Sequence, residues 1–159
     1  MEPRFRPESR VQSLHAMAYR QAMTTSATPG TTPAPERRLA LRVMPLPRDT
    51  NQYGTIFGGV IMSYVDQAGI VEARRHGTHR WVTAAIDRVE FHSPVRVGDV
   101  VNFYTHTTRL GRTSVTVCIE VEAERYSTGE TVRVTQALLT AVAVDEQGKP
   151  IPFSGTPTL

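Results

Sequence analysis

One carboxylate stands inside an otherwise apolar stretch of the chain. The run "FGGVIMSYVDQAGIVEA" has few polar residues in its first four turns, which predicts a helix packed on all sides, with Asp66 in its middle. No Lys or Arg lies three or four residues away to pair with it, because those positions hold Met62, Ser63, Gly69 and Ile70. An unpaired buried carboxylate is costly, so we expect Asp66 to act as a general base or a nucleophile. The alternative is a solvated or salt-bridged residue.

Two glycines, Gly58 and Gly59, lie at the beginning of this run and mark the predicted start of the helix. The first N–H groups of a helix have no partner within it and lie at its positive end, so they suit an oxyanion forming from a carbonyl. The alternative is that the glycines only allow close packing. Asn51, in the loop before them, could orient a water or a carbonyl, or simply close a turn. The segment "GTIFGG" matches neither G-K-[ST] nor G-x-G-x-x-G phosphate loops.

The composition of the chain limits the functions in which these residues can take part. The chain has 159 residues, 40% of them apolar, and a net charge of +3 with scattered arginines, which fits one globular domain and gives little support for nucleic-acid binding. Cys118 is the single cysteine, and the five histidines lack ligand spacing, so we expect no disulfide, no metal and no cofactor. No apolar run approaches the roughly 20 residues of a membrane helix. We therefore predict a cytoplasmic protein.

The elements that must position these residues follow from the pattern along the chain. Residues 1–36 contain "TTSATPGTTPAPE" and are predicted to be a flexible leader, followed by a folded domain at 37–153 and a tail at 154–159. Gly77 is the expected end of the helix. Strand-like runs cover 39–45, 81–91, 99–110, 113–125 and 131–145. The sequence therefore predicts an α+β fold, in which one antiparallel sheet wraps around a single helix.

Several motifs together resemble a known family. The segments "TNQYGTIFGGVIMSYVDQAGIVEA", "VTAAIDRVEFHSPVRVGDVV", "RLGRTSVTVCIEVEAE" and "VAVDEQGKP" are similar to those of the hotdog-fold acyl-CoA thioesterases, in the YciA-like and cytosolic acyl-CoA hydrolase group. The resemblance implies a curved sheet of five to six strands around a long helix. It also implies hydrolysis of acyl-CoA to a free acid and coenzyme A, in homodimers joined through edge strands, with shared active sites, or in hexamers built from such dimers.

The resemblance also assigns roles to residues. Asp66 and Asn51 match the catalytic pair, and Gly58 and Gly59 match the amides that polarise the thioester carbonyl. Val60 stands where YciA-like members tend to carry Trp, which bears on chain-length preference. The family's substrate and coenzyme A contacts match a further set of positions: Thr83, Gly111, Arg112, Thr113, Ser114 and Lys149.

Two other functions fit the same fold. A non-catalytic acyl-CoA sensor would keep the binding groove but would not need Asp66 or Asn51. A dehydratase acting on hydroxyacyl thioesters would need a catalytic histidine with an acid, for which His92 is the candidate; we expect His92 to be structural instead. Both alternatives retain a thioester ligand, so release of free thiol separates them from hydrolysis.

Overall fold

The computed structural model describes residues 36–154. Five strands and one α-helix follow each other in the order β1 (Arg38–Val43), α1 (Gly58–Ala73), β2 (Arg80–Phe91), β3 (Val100–Leu110), β4 (Ser114–Glu124) and β5 (Thr131–Val144). Short 3-10 turns lie at Pro47–Asp49 and Arg74–His76. The predicted flexible leader lies outside the described residues apart from Glu36, and the predicted tail lies outside them apart from Ser154.

The strands form one antiparallel sheet in the order β1-β3-β4-β5-β2, so β1 and β2 are its edges. Each predicted strand agrees with the observed one to within two residues at either end. The α+β class is confirmed. Turn-forming residues between the runs made these bounds predictable, because strand alternation stops where Gly, Pro and Ser interrupt it.

The core lies between the sheet and α1. On β4, Val115, Val117, Ile119 and Val121 are completely buried, as their alternation predicted. Cys118 points to the opposite face and is also completely buried, where Gln136 Nε2 lies 3.1 Å from its sulfur. Burial raises the pKa of the Cys118 thiol to about 11, against a smaller lowering by the Gln136 hydrogen bond.

The surroundings of α1 differ from the prediction of a helix buried on all sides. Ile61, Val65 and Ala68 face the sheet and are buried, whereas one stripe of the helix is exposed: Gly59, Ser63, Gln67 and Val71. Met62, Asp66 and Ile70 border that stripe and are half-buried. The prediction was wrong for the single chain because a five-stranded sheet covers only one side of a helix.

The second carboxylate of α1, Glu72, is the more deeply buried one, with 2% of its surface exposed. Thr105 and Thr107 donate hydroxyl hydrogen bonds to it at 3.1 and 3.2 Å, and Arg75 Nε lies 3.0 Å from Oε2. This network ties the end of α1 to the middle of β3. No helix within residues 36–154 is long and apolar enough to cross a membrane.

Candidate active site

Asp66 is half-buried and is held by β2. Thr83 donates a hydroxyl hydrogen bond to Asp66 Oδ1 at 2.5 Å. Within the described part of the chain this is the one hydrogen bond of the carboxylate, and no cation pairs with it, as the sequence predicted. The bond fixes the orientation of the carboxylate and leaves Oδ2 to accept a proton from a ligand or a water.

The start of α1 presents two free amides. Phe57 is the N-cap residue and provides no side-chain cap, and the first backbone bond into the helix runs from Val60 N–H to Phe57 O at 2.9 Å. The N–H groups of Gly58 and Gly59 have no acceptor among residues 36–154. They therefore form a ready donor pair for an oxyanion.

Close packing against the sheet does not account for these two glycines. A Cβ built on Gly58 would lie 3.5 Å from the ring of Phe91, which is an ordinary contact. A Cβ built on Gly59 would lie 2.5 Å from Phe57 Cε1, but that ring belongs to the preceding loop and is 59% exposed. The glycine that packs closely against the sheet is Gly69, where a Cβ would lie 2.6 Å from Leu139 Cδ1.

Asn51 closes the loop before the helix. Its Oδ1 accepts the backbone N–H groups of Tyr53 and Thr55 at 2.9 and 3.2 Å, and its Nδ2 donates to Thr55 Oγ1 at 2.9 Å. No hydrogen bond joins Asn51 to Asp66 in residues 36–154. Within one chain Asn51 therefore shapes the loop that leads into Gly58, and its predicted catalytic role stays a prediction.

The two halves of the predicted site lie apart in a single chain. Asp66 follows Gly58 by eight residues of the same helix, which places it about 12 Å further along the axis. On β2, Thr83 pairs with Ala141 whereas Phe91, beside Gly58, pairs with Thr135. Reacting groups must come within about 3–3.5 Å. One chain therefore cannot bring Asp66 and its own Gly58 amide to the same carbonyl.

The predicted coenzyme A contacts meet at one end of the sheet. The turn Gly111–Ser114 joins β3 to β4, where Gly111 N–H bonds Ser114 O at 2.7 Å, and Ala143 N–H bonds Thr113 O at 2.9 Å. The bond from Ala143 places the end of β5, and the turn after it that carries Lys149, beside the Gly111–Ser114 turn. Arg112 and Lys149 are exposed there. Thr83, paired with Ala141, lies toward the same end, although its observed contact is Asp66.

An apolar pocket of about 270 Å³ adjoins the start of α1. Its walls come from the loop before the helix, from the helix, from the end of β2, from the loop after β2 and from β5: Ile56, Gly58, Ile61, Phe91, His92, Ser93, Pro94, Val95 and Val134. The sequence analysis missed this pocket. The one feature of the sequence that indicated a pocket here was the aromatic Phe91, at the end of a strand and directly before the loop "HSPV".

His92 lies at the rim of this pocket and is exposed. Its backbone N–H bonds Val134 O at 2.8 Å, but its ring has no acid partner in the part of the chain that the structure describes. Residues 36–154 also contain no group of three or more His, Cys, Asp or Glu side chains placed to hold a metal ion. Each chain thus provides a carboxylate at one place, and a pair of amides beside an apolar pocket at another.

Comparisons with known proteins agree with this architecture. The sequence profile described as "Thioesterase superfamily" matches residues 53–129. The chain is 40% identical over 119 residues to the acyl-CoA thioester hydrolase YciA of Escherichia coli K12, covering 73% of this chain and 90% of that protein. The chain therefore belongs to the hotdog-fold acyl-CoA thioester hydrolases, and the resemblance seen in the sequence is confirmed.

Solved structures give the same result. The hexameric thioesterase y2039 of Yersinia pestis has a TM-score of 0.72 at 41% identity, covering 77% of this chain and 100% of that one. The hexameric hotdog-fold thioesterase Cj0915 of Campylobacter jejuni has a TM-score of 0.68 at 41% identity, covering 72% and 89%. The predicted hotdog fold is thereby confirmed.

Proposed function

We propose that this protein hydrolyses acyl-CoA thioesters to a free carboxylic acid and coenzyme A, at sites built from two protomers. The observation that carries the proposal is the separation of two half-sites along one helix. Gly58 and Gly59 offer unpaired amides at its start, while Asp66 lies about 12 Å further on, oriented by Thr83. A site is complete only when a second chain supplies the missing half.

The chemistry follows from the groups present. Asp66 of one protomer takes a proton from a water molecule, whose oxygen attacks the thioester carbonyl carbon. The carbonyl oxygen becomes an oxyanion and accepts hydrogen bonds from the Gly58 and Gly59 amides of the other protomer. When this tetrahedral intermediate collapses, the C–S bond breaks, and the coenzyme A thiolate leaves and is protonated. Direct attack by Asp66, giving a mixed anhydride, uses the same arrangement.

The edge strand β2 is the surface that would join the two protomers. It has 12 residues, one of its edges pairs with no other strand of residues 36–154, and Val82 and Phe91 are 41% and 48% exposed. An exposed apolar edge strand pairs readily with another strand. In an antiparallel twofold pairing centred near Asp87, Thr83 of one chain lies opposite Phe91 of its partner. That pairing brings Asp66 of one chain toward the Gly58 end of the other, so each dimer has two sites.

The assembly of the dimers, the coenzyme A contacts and the location of the protein complete the proposal. Since y2039 and Cj0915 are hexameric, we propose that these dimers associate into hexamers. The reaction consumes only water and the thioester, so no cofactor is needed. The exposed Arg112 and Lys149 would contact the phosphates of coenzyme A. We also expect a cytoplasmic location, which fits the free thiol of Cys118.

Substituting Asp66 tests the proposal. We expect Asp66→Asn to lower the turnover of acyl-CoA about a hundredfold or more while the affinity for coenzyme A stays nearly unchanged, because a general base is removed and the binding groups remain. Free thiol release is the measurement. Wild-type turnover in the variant would remove Asp66 from the mechanism. Binding of acyl-CoA without thiol release by the wild-type protein would instead favour the non-catalytic sensor.

Mixed assemblies test whether two chains share a site. Asp66→Asn and Asn51→Ala chains, carrying different tags and co-expressed, place both defects in one site of a mixed dimer and leave its second site intact. We expect activity of about half the wild-type level in mixed dimers and near none in either parent. If each site lay within one chain, every site of the mixture would carry a defect, and activity would stay at the parental level.

A further inference from the structure

Ser63 is the one polar side chain of α1 that shares the Asp66 side of the helix. At about 100° per residue, the residues of α1 that lie within about 60° of Asp66 around the helix axis form a small set. They are Gly59, Met62, Ser63, Gly69, Ile70 and Ala73. All of these except Ser63 have an apolar side chain or none. Any further side-chain hydrogen bond that α1 offers beside Asp66 therefore comes from Ser63.

This side of the helix is also the side that a partner chain would face. Asp66 is turned toward β2, where Thr83 binds it. The proposed dimer joins at the free edge of β2, so the second chain approaches α1 from the same direction. Ser63 is exposed in the single chain, and in the dimer it would border the space between the two protomers.

The hydroxyl group of Ser63 is arranged as a hydrogen-bond acceptor. Ser63 Oγ donates its proton to the backbone oxygen of Val60 at 2.7 Å. A serine hydroxyl has one donor hydrogen and two acceptor lone pairs, and no group within residues 36–154 donates a hydrogen bond to this one. The same bond makes Ser63 a poor nucleophile, because a backbone carbonyl cannot take its proton. Ser63 can therefore accept a hydrogen bond from a ligand or a water.

Asp66 and Ser63 are close enough to hold one water molecule between them. Residues three positions apart on a helix have Cβ atoms about 5–6 Å apart, and helical side chains lean toward the N-terminus. The carboxylate of Asp66 thus leans over the turn that contains Ser63. Thr83 engages Oδ1 and leaves Oδ2 as an acceptor. Two acceptors at this spacing suit a water molecule, which donates one hydrogen to each.

We infer that Ser63 holds the attacking water together with Asp66. The inference rests on the proposed function and adds a residue to its site. A water that donates one hydrogen to Asp66 Oδ2 and the other to Ser63 Oγ directs its lone pairs away from the helix. Those lone pairs then face the space in which the amides of the other protomer would hold the thioester carbonyl. Such an orientation before the reaction lowers the entropic cost of the attack.

The reaction step then has a defined course for each proton and electron pair. The hydrogen between the water and Asp66 moves to Oδ2 as a proton, and the electron pair of the broken O–H bond forms the new C–O bond. When the oxyanion restores the carbonyl, the C–S bond breaks and the sulfur takes the proton from Asp66. The second hydrogen stays on the oxygen of the product acid. Direct attack by Asp66 would displace this water, so the inference favours the general base over the mixed anhydride.

Two alternatives compete with this role. Serine hydroxyls commonly bond a backbone carbonyl of the preceding helical turn, so the bond to Val60 fits a purely structural role as well. The second alternative is that Thr83 holds the water, since its oxygen also has its proton engaged. In either case the loss of the Ser63 hydroxyl would leave kcat unchanged.

The first experiment removes the hydroxyl group. Ser63→Ala should lower kcat about tenfold with KM unchanged, because one hydrogen bond to the water is lost and the contacts to coenzyme A remain. Ser63→Thr keeps a hydroxyl that can bond the same carbonyl, so its kcat should lie within about threefold of the wild type. Wild-type kcat in Ser63→Ala, or an equal loss in Ser63→Thr, would overturn the inference.

The matched control is Thr108→Ala. It removes another exposed hydroxyl that donates to a backbone oxygen, at 3.1 Å from Thr116 O on the sheet. Kcat should keep its wild-type value in this variant. An equal fall in Thr108→Ala and Ser63→Ala would show a general effect of losing such a bond, and it would also overturn the inference.

A double substitution tests whether the two residues hold the same water. Asp66→Ala removes the base and one of the two acceptors, so Ser63 alone can no longer orient the water. Adding Ser63→Ala should therefore lower the residual kcat of Asp66→Ala by no more than about twofold, measured at high enzyme concentration. A further tenfold loss would show that the two residues act independently, contrary to the inference.

A crystal structure of the wild-type protein gives a test that needs no turnover. We expect a water within about 3.2 Å of both Ser63 Oγ and Asp66 Oδ2, and its loss in Ser63→Ala. A water bonded to Asp66 and Thr83 alone would refute the role of Ser63. Failure of the proposed function has a different signature, since wild-type turnover in Asp66→Asn, or no thiol release by the wild-type protein, contradicts the reaction itself. A loss in Asp66→Asn with none in Ser63→Ala contradicts only the inference.

Discussion

The two carboxylates of α1 are used in opposite ways. Glu72, at the C-terminal end, is almost completely buried and accepts two threonine hydroxyls and an arginine. Asp66, in the middle of the helix, is half-buried and accepts one hydroxyl, from Thr83. A carboxylate whose oxygens are all engaged can only hold the fold together. One with a free oxygen beside an open surface can take a proton, so depth of burial by itself does not identify a catalytic acid.

The same division appears in the glycines of the helix. Gly69 lies near the C-terminal end against Leu139 and is buried. Gly58 and Gly59 lie at the open start and present their amides. The part of α1 from Gly69 to Ala73 is thus the anchor, and the part from Gly58 to Asp66 carries the chemistry. Substitutions in the two parts should affect different measurements.

The largest effect on stability is expected from removing the buried carboxylate. Glu72→Ala leaves the Thr105 and Thr107 hydroxyls without their acceptor, which should lower the free energy of unfolding by about 2–4 kcal/mol. The arginine partners add little, because Arg38 and Arg75 are 52% and 43% exposed on their side chains. Urea denaturation measures the change.

Asp66→Ala is the matched control for Glu72→Ala, since it removes the other carboxylate of the same helix. It should change stability by less than about 1 kcal/mol and abolish turnover, whereas folded Glu72→Ala should keep its turnover. If Asp66→Ala proved the more destabilising of the two, the assignment of the anchoring and the catalytic part of α1 would be reversed.

Gly69→Ala is expected to give the next largest change. The added methyl group would lie 2.6 Å from Leu139 Cδ1 and must displace it, a cost that exceeds the helix propensity gained. We expect a net loss of about 1–2 kcal/mol in unfolding free energy. Gly58→Ala provides the comparison, because its methyl group makes only an ordinary contact with Phe91 and should leave the thermal midpoint nearly unchanged.

Most of the fold and half of the site could be predicted from the sequence. Strand alternation and turn residues located all five strands, and helical periodicity located Asp66 relative to Gly58 and Gly59. Each of these patterns depends only on residues that are close together in the sequence, within one strand, turn or helix. The free amides and the absence of a cation beside Asp66 follow from the same local pattern, and the structure agrees with both.

What could not be predicted depends on pairing between distant strands. Thr83 meets Asp66 in a part of the sheet where the register of β2 against β5 shifts, between Thr83 and Ala85 and again between Asp87 and Glu90. A register shift changes which face a residue occupies, and sequence alternation does not show it. The burial of Glu72 likewise depends on Thr105 and Thr107, which lie more than thirty positions later in the chain.

Thr83 gives the next prediction, at the half-site of Asp66. Thr83→Val keeps the shape of the side chain but removes the donor to Asp66 Oδ1, so the carboxylate loses its fixed orientation. We expect kcat to fall roughly tenfold with KM unchanged, and Thr83→Ser to restore most of it. A rise in KM with normal kcat would instead support the role in substrate binding that the family resemblance implies.

The smallest effect is expected on the opposite face of the sheet, at Cys118. With its pKa raised to about 11, roughly one molecule in a thousand carries the thiolate at pH 8, and the sulfur is completely buried. Thiol reagents should therefore leave Cys118 unmodified in the native protein and react with it in denaturant, so that the released coenzyme A is the thiol detected in the assay.

The same raised pKa has a consequence for stability at alkaline pH. The unfolded chain releases the thiol proton near its ordinary pKa of about 9, before the folded chain does, so ionisation of Cys118 favours unfolding as the pH rises from 9 to 11. Below pH 9 both states keep the proton and this contribution is constant. Cys118→Ala should show a shallower loss of stability than the wild type across that range. Identical slopes would mean that the thiol is less buried than the structure places it, and the opposite face of the sheet would then be open to solvent.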